Sequence, residues 1–439
     1  MAKTFWVETL GCPKNQVDSD KLTGTMLADG LVAADAPDQA DLVVVNTCAF
    51  IEEARQESID TVLALSDARS AGARVVVTGC MAERYGDELA AALPEIDAVA
   101  GFGVALMPAP VLSATAVAVS IGSKPSPDPV TLPSFDLLNL PRPKSTAPWA
   151  YLKVAEGCDR NCGFCAIPSF RGKQRSRTVD DLLAEVDQLQ AREIVLVAQD
   201  LAAYGRDQGV GQRSIVPLVR AVDERVDWVR LLYLYPSDLT DELIETVLAT
   251  GVAYFDLSLQ HVSPPLLRRM RRWGNGQKFL DRIEAIRAAE PGAAFRSNFI
   301  VGYPGETEAD HDQLLEFVRA AQLDWCGFFS FSKEDGTYAA DLDEQVPKEL
   351  MNERLAELRE MQDAITATRR DALIGTKVTV LVDAPGTARS YREAPEIDGV
   401  IAVPDTLEVG SFVDLTVVDA LGPDLVADLV PAIVGEAAR

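Results

Sequence analysis

The chain has 439 residues, which suffices for about three domains of ordinary size. Its 67 acidic residues outnumber 41 basic ones and give a net charge of -26, so most of its surface should repel nucleic-acid phosphate and favour a basic partner, although a local basic groove could still hold RNA. The seven cysteines, with no targeting segment expected before Glu8, predict a reducing cytoplasm, where grouped thiols are more often metal ligands than disulfides.

The first segment, residues 1–122, alternates buried strands with amphipathic helices. We predict strands at TFWVETLG, DLVVVNT and ARVVVTG, separated by helices at QVDSDKLTGTMLADG and EEARQESIDTVLALSDA. This βαβ order predicts an open parallel α/β sheet. Residues 98–123 carry no charge, but Pro108 and Pro110 interrupt them, so we expect a buried strand, turn and helix there rather than a membrane span.

Each of the three predicted strands ends in a cysteine. Parallel strands of one sheet place their carboxyl ends on the same edge, where such folds bind ligands. The repeated context, as in NTC and TGC, therefore favours three thiols that converge. Three unrelated buried cysteines are the alternative. The residues concerned are Cys12, Cys48 and Cys80.

A Pro-rich stretch over residues 123–145 predicts an extended linker, because proline suits neither a helix nor a central strand. Residues 146–370 then alternate strands with helical patterns and end in a long helix. The predicted strands are WAYLKVAE, EIVLVAQ, WVRLLYLYP, YFDLSLQ, AFRSNFIVG and CGFFSFS. Six parallel strands with crossover helices predict an incomplete (β/α)6 barrel, whose site lies at the carboxyl ends of the strands.

The loop EGCDRNCGFC follows the first of these strands and contains Cys158, Cys162 and Cys165 in a C-x3-C-x2-C spacing. Thiolates this close in sequence can ligate three irons of a cubane iron-sulfur cluster and leave the fourth iron open for a small molecule. A zinc knuckle or a redox thiol group is the alternative, but zinc motifs favour C-x2-C pairs completed by another cysteine or histidine.

Other polar residues near the strand ends give less specific signals. Gln199 and Asp200 end the second strand, where they could bind a polar ligand or cap the next helix. Of the two histidines, His261 could face the site and His311 is expected to be exposed. Two basic clusters could be solvated faces or could contact phosphate or carboxylate groups near the site mouth. They consist of Arg171, Lys173, Arg175 and Arg177, and of Arg268, Arg269, Arg271 and Arg272.

The last segment, residues 371–439, changes to short alternating strands at TKVTVLVD, GVIAVP and FVDLTVVDA, which predict a small antiparallel β-barrel. The segment has twelve acidic and four basic residues. That charge opposes phosphate binding and favours contact with a positively charged protein surface.

The three cysteines of the loop match the signature of the radical S-adenosylmethionine (SAM) enzymes. The resemblance implies that they hold a 4Fe-4S cluster whose open iron chelates SAM, which these enzymes cleave to a 5′-deoxyadenosyl radical. It also implies that Phe164 lies near the adenine of SAM, and that Asn298 and Gly302 help to hold SAM. Gln199 and Asp200 are further candidate contacts of this cofactor.

Over essentially the whole chain, the sequence resembles the methylthiotransferases of this superfamily, in which the C-terminal OB-like barrel is called the TRAM domain. The resemblance implies that Cys12, Cys48 and Cys80 hold a second, auxiliary 4Fe-4S cluster that delivers sulfur. A second SAM then supplies the methyl group. A non-catalytic iron-sulfur carrier is a rival interpretation from a different functional class.

Two branches of that family modify different substrates, an adenosine of tRNA or an aspartate of ribosomal protein S-twelve. The stretches ETLGCPKNQVDSD, EGCDRNCGFCAIPSFRG, SLQHVSPPLLRRMRR and EAPEIDG resemble the second branch, and the acidic barrel favours it too, because ribosomal proteins are basic. The resemblance implies a cytoplasmic enzyme that acts on ribosomal protein S-twelve or the small ribosomal subunit and uses an electron donor such as flavodoxin or ferredoxin. We expect neither membrane attachment nor stable nucleic-acid binding.

Overall fold

The N-terminal part of the chain is an open sheet of five parallel strands. The computed structural model describes residues 3–104, 106, 136–209 and 215–429. The elements of this first part are β1 (Thr4–Thr9), α1 (Pro13–Ala28), β2 (Val32–Ala33), β3 (Leu42–Thr47), α2 (Glu52–Ala68), β4 (Arg74–Gly79), α3 (Cys80–Ala92) and β5 (Ala98–Val99). The strand order is β2-β1-β3-β4-β5 and every pair is parallel, which confirms the prediction.

The register of this sheet places two cysteines side by side. All six residues of β3 are buried, as expected of a β-branched strand covered on both faces. Thr47 at the end of β3 pairs with Gly79 at the end of β4. Cys48 and Cys80 therefore follow equivalent positions at the carboxyl edge.

The central part is an incomplete barrel of six parallel strands. Its elements are β6 (Trp149–Lys153), β7 (Ala155–Glu156), α4 (Ile167–Arg171), β8 (Arg175–Ser176), α5 (Val179–Leu189), β9 (Glu193–Val197), α6 (Ile215–Asp223), β10 (Trp228–Leu231), α7 (Asp241–Ala249), β11 (Tyr254–Gln260), α8 (Pro264–Arg269), α9 (Gly276–Ala289), β12 (Ala294–Val301), α10 (Glu308–Ala321), β13 (Trp325–Ser330) and α11 (Lys348–Asp371). Strands β6, β9 and β10 form one sheet and β11, β12 and β13 another, and a parallel bridge between Leu234 and Leu257 joins them. The short antiparallel pair of β7 and β8 brackets the cysteine loop.

Alternate residues of the barrel strands enter two different cores. In β9, Leu196 packs among the residues of the surrounding helices, whereas Val195 belongs to an inner cluster. That inner cluster also contains Val17 of α1 and Ala394 of the C-terminal part. All three parts of the chain therefore meet inside the barrel.

The C-terminal part is a closed five-stranded barrel. Its strands are β14 (Lys377–Ala384), β15 (Thr387–Arg389), β16 (Ile401–Ala402), β17 (Phe412–Leu421) and β18 (Asp424–Asp428). They close in the order β14-β15-β16-β18-β17. The pair of β16 and β18 is parallel and the other pairs are antiparallel. The predicted small β-barrel is confirmed.

Residues 389–398 dock this barrel against the amino ends of the central strands. Arg389 pairs at 2.8 Å with Glu193, the first residue of β9. The hydroxyl of Tyr254, the first residue of β11, donates to the carboxylate of Asp398 at 2.5 Å. The barrel therefore lies at the end of the strands opposite to the cysteine loop.

Several sequence predictions fall partly outside the described residues. Of the linker, residues 136–145 are described, and they contain a short 3-10 turn. Of the uncharged stretch, only residues 98–104 and 106 are described. Within the described ranges, no helix is long and apolar enough to cross a membrane. The domain limits at residues 122, 145 and 370 stay predictions.

The prediction that His311 is exposed is wrong. His311 is almost fully buried, and its Nε2 lies 3.0 Å from a carboxylate oxygen of Glu357, where α10 packs against α11. The polar sequence of α10 could not show that a second helix covers this side. His261 is also buried, and its Nδ1 accepts a hydrogen bond from the Ser263 N–H at 3.0 Å.

Candidate functional site

Cys12, Cys48 and Cys80, called the sheet triad below, lie at the carboxyl edge of the N-terminal sheet. Cys48 and Cys80 directly follow β3 and β4, and Cys12 directly precedes α1. Two glycines allow the chain to turn there. Gly79 has a φ of +90° and a Cβ on it would collide with the end of β3, while Gly11 has a φ of +96° and lies against Cys48. The strand ends therefore place the three thiols near one another, and their role as cluster ligands stays a prediction.

The three thiols of the sheet triad are close enough to affect one another's ionisation. Burial, followed by Cys12 and Cys80, raises the pKa of Cys48 to about 12. Burial also raises the pKa of Cys80. Burial opposes ionisation of Cys12 as well, but the charges of Lys14 and Arg171 outweigh it, and its pKa lies below the ordinary value. Metal binding at such a site releases the remaining thiol protons.

Cys158, Cys162 and Cys165, called the loop triad below, lie between β7 and α4. The backbone here is irregular, and the N–H of Cys158 donates to the carbonyl of Gly172 at 3.1 Å. Burial raises the pKa of Cys158 to about 11 and that of Cys165 to about 12. The loop therefore holds three thiols on a short stretch of chain, and burial affects at least Cys158 and Cys165.

Each triad receives a hydrogen bond from an arginine. Arg171 Nη2 donates to Cys80 Sγ at 3.0 Å, and Arg272 Nη1 donates to Cys162 Sγ at 3.2 Å. Charge-assisted hydrogen bonds of this kind favour a thiolate over a thiol. The buried sulfur atoms are therefore prepared for a metal centre.

Each triad supplies three thiols, the donor set of an iron-sulfur cluster with one open iron. Among the residues that the structure describes, no three His, Cys, Asp or Glu side chains converge closely enough to share one ion. In an iron-sulfur cluster each thiolate binds a different iron, so the cysteine sulfurs stand apart. All six thiols are free of disulfides. The donor set therefore fits two iron-sulfur clusters, each with three cysteine ligands.

Three parts of the chain match known families. Residues 4–101 match Uncharacterized protein family UPF0004, residues 152–318 match the Radical SAM superfamily, and residues 374–430 match the TRAM domain. The ribosomal protein uS12 methylthiotransferase RimO of Moorella thermoacetica is 44% identical, over 93% of this chain and 94% of its own. The RimO of Cutibacterium acnes is 40% identical, over 97% of both chains. The chain belongs to the RimO family.

Solved structures similar to this RimO-family chain are more distant. The radical SAM methyltransferase TsrM from Kitasatospora setae, solved with cobalamin and a 4Fe-4S cluster bound, is 13% identical over 88% of this chain and 80% of its own, with a TM-score of 0.46. A similarity of that size does not bear on function.

A buried ion network connects the two triads of this RimO-family chain. Arg171 Nη1 donates to both carboxylate oxygens of Glu156, at 2.7 and 2.8 Å, while its Nη2 holds Cys80. Lys153 pairs with Glu156 at 2.5 Å and with Asp18 of α1. Burial alone would raise the pKa of Glu156, but the charges of Arg171 and Lys153 outweigh burial and hold this pKa well below its usual range. Because Glu156 lies two residues before the loop triad, the network ties both triads into one unit.

In the first basic cluster, predicted as a solvated face or a contact for external anions, Lys173 is exposed and the three arginines pair with carboxylates of the chain. Arg171 and Arg177 are buried, and Arg177 pairs with Glu185 at 2.7 Å. Arg175 pairs with Asp136 at 2.7 Å. These arginines bind carboxylates of the chain itself. Their structural role therefore depends on acidic residues that are distant in sequence.

The second basic cluster divides between the site and its rim. Arg272 serves the loop triad, and Arg269 pairs with Glu344 at 2.8 Å. Arg268 and Arg271 are exposed. The rim interpretation therefore applies to two of the four residues.

Two of the candidate SAM contacts lie beside the loop triad. Gln199 Nε2 donates to Glu156 at 2.7 Å, and Asp200 accepts from Arg160 Nε at 2.5 Å. Within the described residues, Gln199 Oε1 and Asp200 Oδ1 are buried without a hydrogen-bond partner, which a polar ligand could supply. Asp200 precedes a short 3-10 helix but its side chain does not cap it, so the capping alternative is wrong for this residue.

The other three candidates occupy more ordinary positions. Phe164 packs against a small apolar cluster below the loop. Asn298 pairs in register with Gly327 of β13. Gly302 has a φ of +81°, and a Cβ on it would collide with Met351 of α11, so helix packing alone requires this glycine. A role for these three in SAM binding stays a prediction.

The sequence analysis missed two tyrosines and a lysine near the triads. The ring of Tyr235 lies near the guanidinium groups of Arg160, at 3.9 Å, and Arg272, at 4.2 Å. Tyr233 has a φ of +64°, and the Nζ of Lys14 lies 3.5 Å from its ring centroid. Strand β10 ends before these tyrosines, although the pattern LYLYP predicts that it continues. The sequence signal that could have indicated these residues was the pair of tyrosines before a proline at a predicted strand end.

A cleft of about 450 Å³ lies elsewhere, between residues 144–148 and 408–411. Pro148 and Arg192, which line it, directly precede β6 and β9. The cleft therefore lies at the amino ends of the strands, away from both triads.

Proposed function

We propose that the chain is a radical SAM methylthiotransferase that inserts sulfur and a methyl group at the β-carbon of an aspartate of ribosomal protein uS12, giving 3-methylthioaspartate. The observation that carries this proposal is the buried network that ties two cysteine triads together. RimO relatives that match more than nine-tenths of the chain support the choice of substrate. A single triad would provide the radical and no source of sulfur.

In this proposal the loop triad would hold the SAM-binding 4Fe-4S cluster and the sheet triad the auxiliary one. The first supplies reductive cleavage of SAM when bound, and the second supplies sulfur. Arg272 and Arg171 stabilise Cys162 and Cys80 as thiolates. Cys48 and Cys80 are each 7% exposed, which limits the access of water to the sheet triad.

The proposed SAM contacts are divided by chemistry. Gln199 and Asp200 each have a free acceptor oxygen for the polar groups of SAM. Phe164 provides an apolar surface for the adenine. Asn298, within β12, and Gly302, directly after it, complete the set.

The surface charge of the C-terminal barrel supports a basic protein substrate. Arg389 and Arg392 contact carboxylates of the chain, which leaves Lys377 as the exposed basic residue among those described. Such a surface attracts a ribosomal protein and opposes stable binding of nucleic acid. The exposed acidic residues described in this part are Asp371, Glu396, Asp405, Glu408, Asp414, Asp419 and Asp428.

The remaining parts of the proposal concern cellular context. An electron donor such as flavodoxin or ferredoxin would reduce the loop-triad cluster. We place the enzyme in the cytoplasm, where free thiols and ribosomes both occur.

Mass spectrometry of uS12 from cells with and without this gene tests the proposal. We expect one methylthio group on uS12 only when the gene is present. If uS12 is unchanged and a tRNA adenosine gains the group instead, the chain is a tRNA methylthiotransferase, which would also show steeply salt-dependent RNA binding. A chain that yields no 5′-deoxyadenosine with dithionite and SAM would instead be an iron-sulfur carrier.

A further inference from the structure

Lys14 is a buried lysine beside the sheet triad whose ammonium pairs with no carboxylate in the described parts of the chain, although its charge acts on the neighbouring Cys12. Lys14 is 8% exposed to solvent. The other two buried lysines each have a carboxylate: Lys153 pairs with Asp18 and Glu156, and Lys21 lies 3.7 Å from Glu185. Burying an unpaired charge is costly, so such a group is usually kept for an anion.

The surroundings of Lys14 place its ammonium at the boundary of two domains. Lys14 is the second residue of α1, two positions after Cys12. Its Nζ reaches across to the ring of Tyr233, at 3.5 Å from the centroid. Two residues further along, Tyr235 lies beside Arg272, which holds Cys162. The ammonium therefore lies beside the sheet triad, against a ring two residues from the tyrosine that neighbours the arginine of the loop triad.

The contact with Tyr233 does not satisfy this ammonium. A cation over an aromatic ring gains about 2 kcal/mol when desolvated, less than the cost of burying an unpaired charge. Among the described residues, Lys14 donates no hydrogen bond to Cys12 or to any carboxylate, although three N–H donors are available. Lys14 and Arg171 both lower the pKa of Cys12, and Arg171 also donates a hydrogen bond to Cys80 Sγ, so the sheet triad has a cation besides Lys14.

We infer that Lys14 binds the side-chain carboxylate of the substrate aspartate, an inference that rests on the proposed function. The carbon to be modified is bonded directly to that carboxylate. An ammonium that fixes the carboxylate beside the sheet triad therefore places the β-carbon close to the source of sulfur. Adenosine has no carboxylate, so the same lysine would select the protein substrate over tRNA. Lys14 is then a specificity-determining and positioning residue.

Binding of isolated uS12 to the anaerobic, cluster-loaded enzyme tests this inference. The comparison uses uS12 and its variant with asparagine at the target position, with Lys14→Met and Lys14→Arg enzymes. We expect the wild-type enzyme to bind the aspartate form about tenfold more tightly or better, as for a buried charge-assisted pair. Lys14→Met should bind both forms alike, and Lys14→Arg should keep part of the preference. Iron and sulfide per chain should stay unchanged in both variants.

The control is Lys348→Met, which removes an exposed lysine at the start of α11 and should keep the full preference. If Lys14→Met still prefers the aspartate form by the wild-type ratio, the inference is wrong. It is also wrong if both Lys14 variants lose iron from the sheet triad, because the lysine would then serve the cluster. Failure of the proposed function is a separate result, in which the wild-type enzyme neither binds nor modifies uS12.

Discussion

The two cysteine triads reach similar surroundings by different routes. The loop triad occupies eight consecutive residues, 158–165, on irregular backbone. The sheet triad draws Cys12, Cys48 and Cys80 from three strand ends, and the register of buried strands fixes it. Both include at least one buried thiol, and in both an arginine N–H donates to one sulfur. A site can thus be local in sequence or assembled by the fold, and the two kinds should fail in different ways.

The largest expected effect separates the functions of the triads. Cys162→Ala should abolish both 5′-deoxyadenosine formation and methylthiolation of uS12, because the SAM-binding cluster loses a ligand. Cys48→Ala should abolish methylthiolation and keep SAM cleavage. Chromatography of 5′-deoxyadenosine with mass spectrometry of uS12 checks both. Loss of both activities in Cys48→Ala, with the protein folded and the loop-triad cluster intact, would contradict this division.

The next effect breaks the connection between the triads. Arg171→Met leaves Glu156 and Asp18 buried with Lys153 as their remaining cation, so we expect a loss of about 3–5 kcal/mol in the free energy of unfolding and less iron at both triads. Denaturant unfolding and iron analysis measure this. The matched control is Arg192→Met, which removes an exposed pair with Asp227 and should cost below about 1 kcal/mol. Equal losses in the two variants would show that the network does not join the triads.

A smaller effect should be confined to the sheet triad. Gly79→Ala introduces a Cβ into the end of β3 at a φ of +90°, so we expect a loss of about 2–4 kcal/mol and about half of the iron per chain. Gly72→Ala, at a φ of +88° with open space around it, isolates the backbone strain and should cost about 1 kcal/mol without loss of iron. Full iron content in Gly79→Ala would mean that the strand ends do not fix this triad.

The smallest effect concerns Asp398, at the end of the barrel opposite to the triads. A change there should alter stability without altering the iron content of the site. Burial raises the pKa of Asp398 to about 6, although Arg296 and the Tyr254 hydroxyl oppose the shift. A carboxyl whose pKa is raised in the folded state adds stability as pH falls through that pKa. From pH 7 to 5, the wild type should therefore gain on the order of 1 kcal/mol relative to Asp398→Asn, without any change in iron content. A pH-independent difference between the two proteins would contradict the raised pKa.

The sequence predicts the parts of the molecule that depend on local pattern. Apolar runs such as those around Val44 and Val195 fix the strands, and the spacing of Cys158, Cys162 and Cys165 fixes the loop triad. The convergence of the sheet triad was predictable only because parallel strands share a carboxyl edge. The partners of Arg171, in contrast, lie 15 to 156 residues away, and no spacing rule reveals them.

The positions of His311 and Lys14 were hidden for a related reason. The pattern of a single helix shows which face is polar, but not whether a second element covers that face. Glu357 does so for His311, and Tyr233 does so for Lys14. Burial of polar groups is decided by docking between elements, which a single sequence records only indirectly.

The most direct test of the central claim, that the triads act together on one aspartate, is deuterium transfer. The substrate is uS12 with deuterium at the β-carbon of the target aspartate, and the product measured is 5′-deoxyadenosine, by mass spectrometry. We predict that 5′-deoxyadenosine from the wild-type enzyme contains deuterium and that uS12 gains one methylthio group. Formation of the methylthio product with 5′-deoxyadenosine that contains no deuterium would contradict the account.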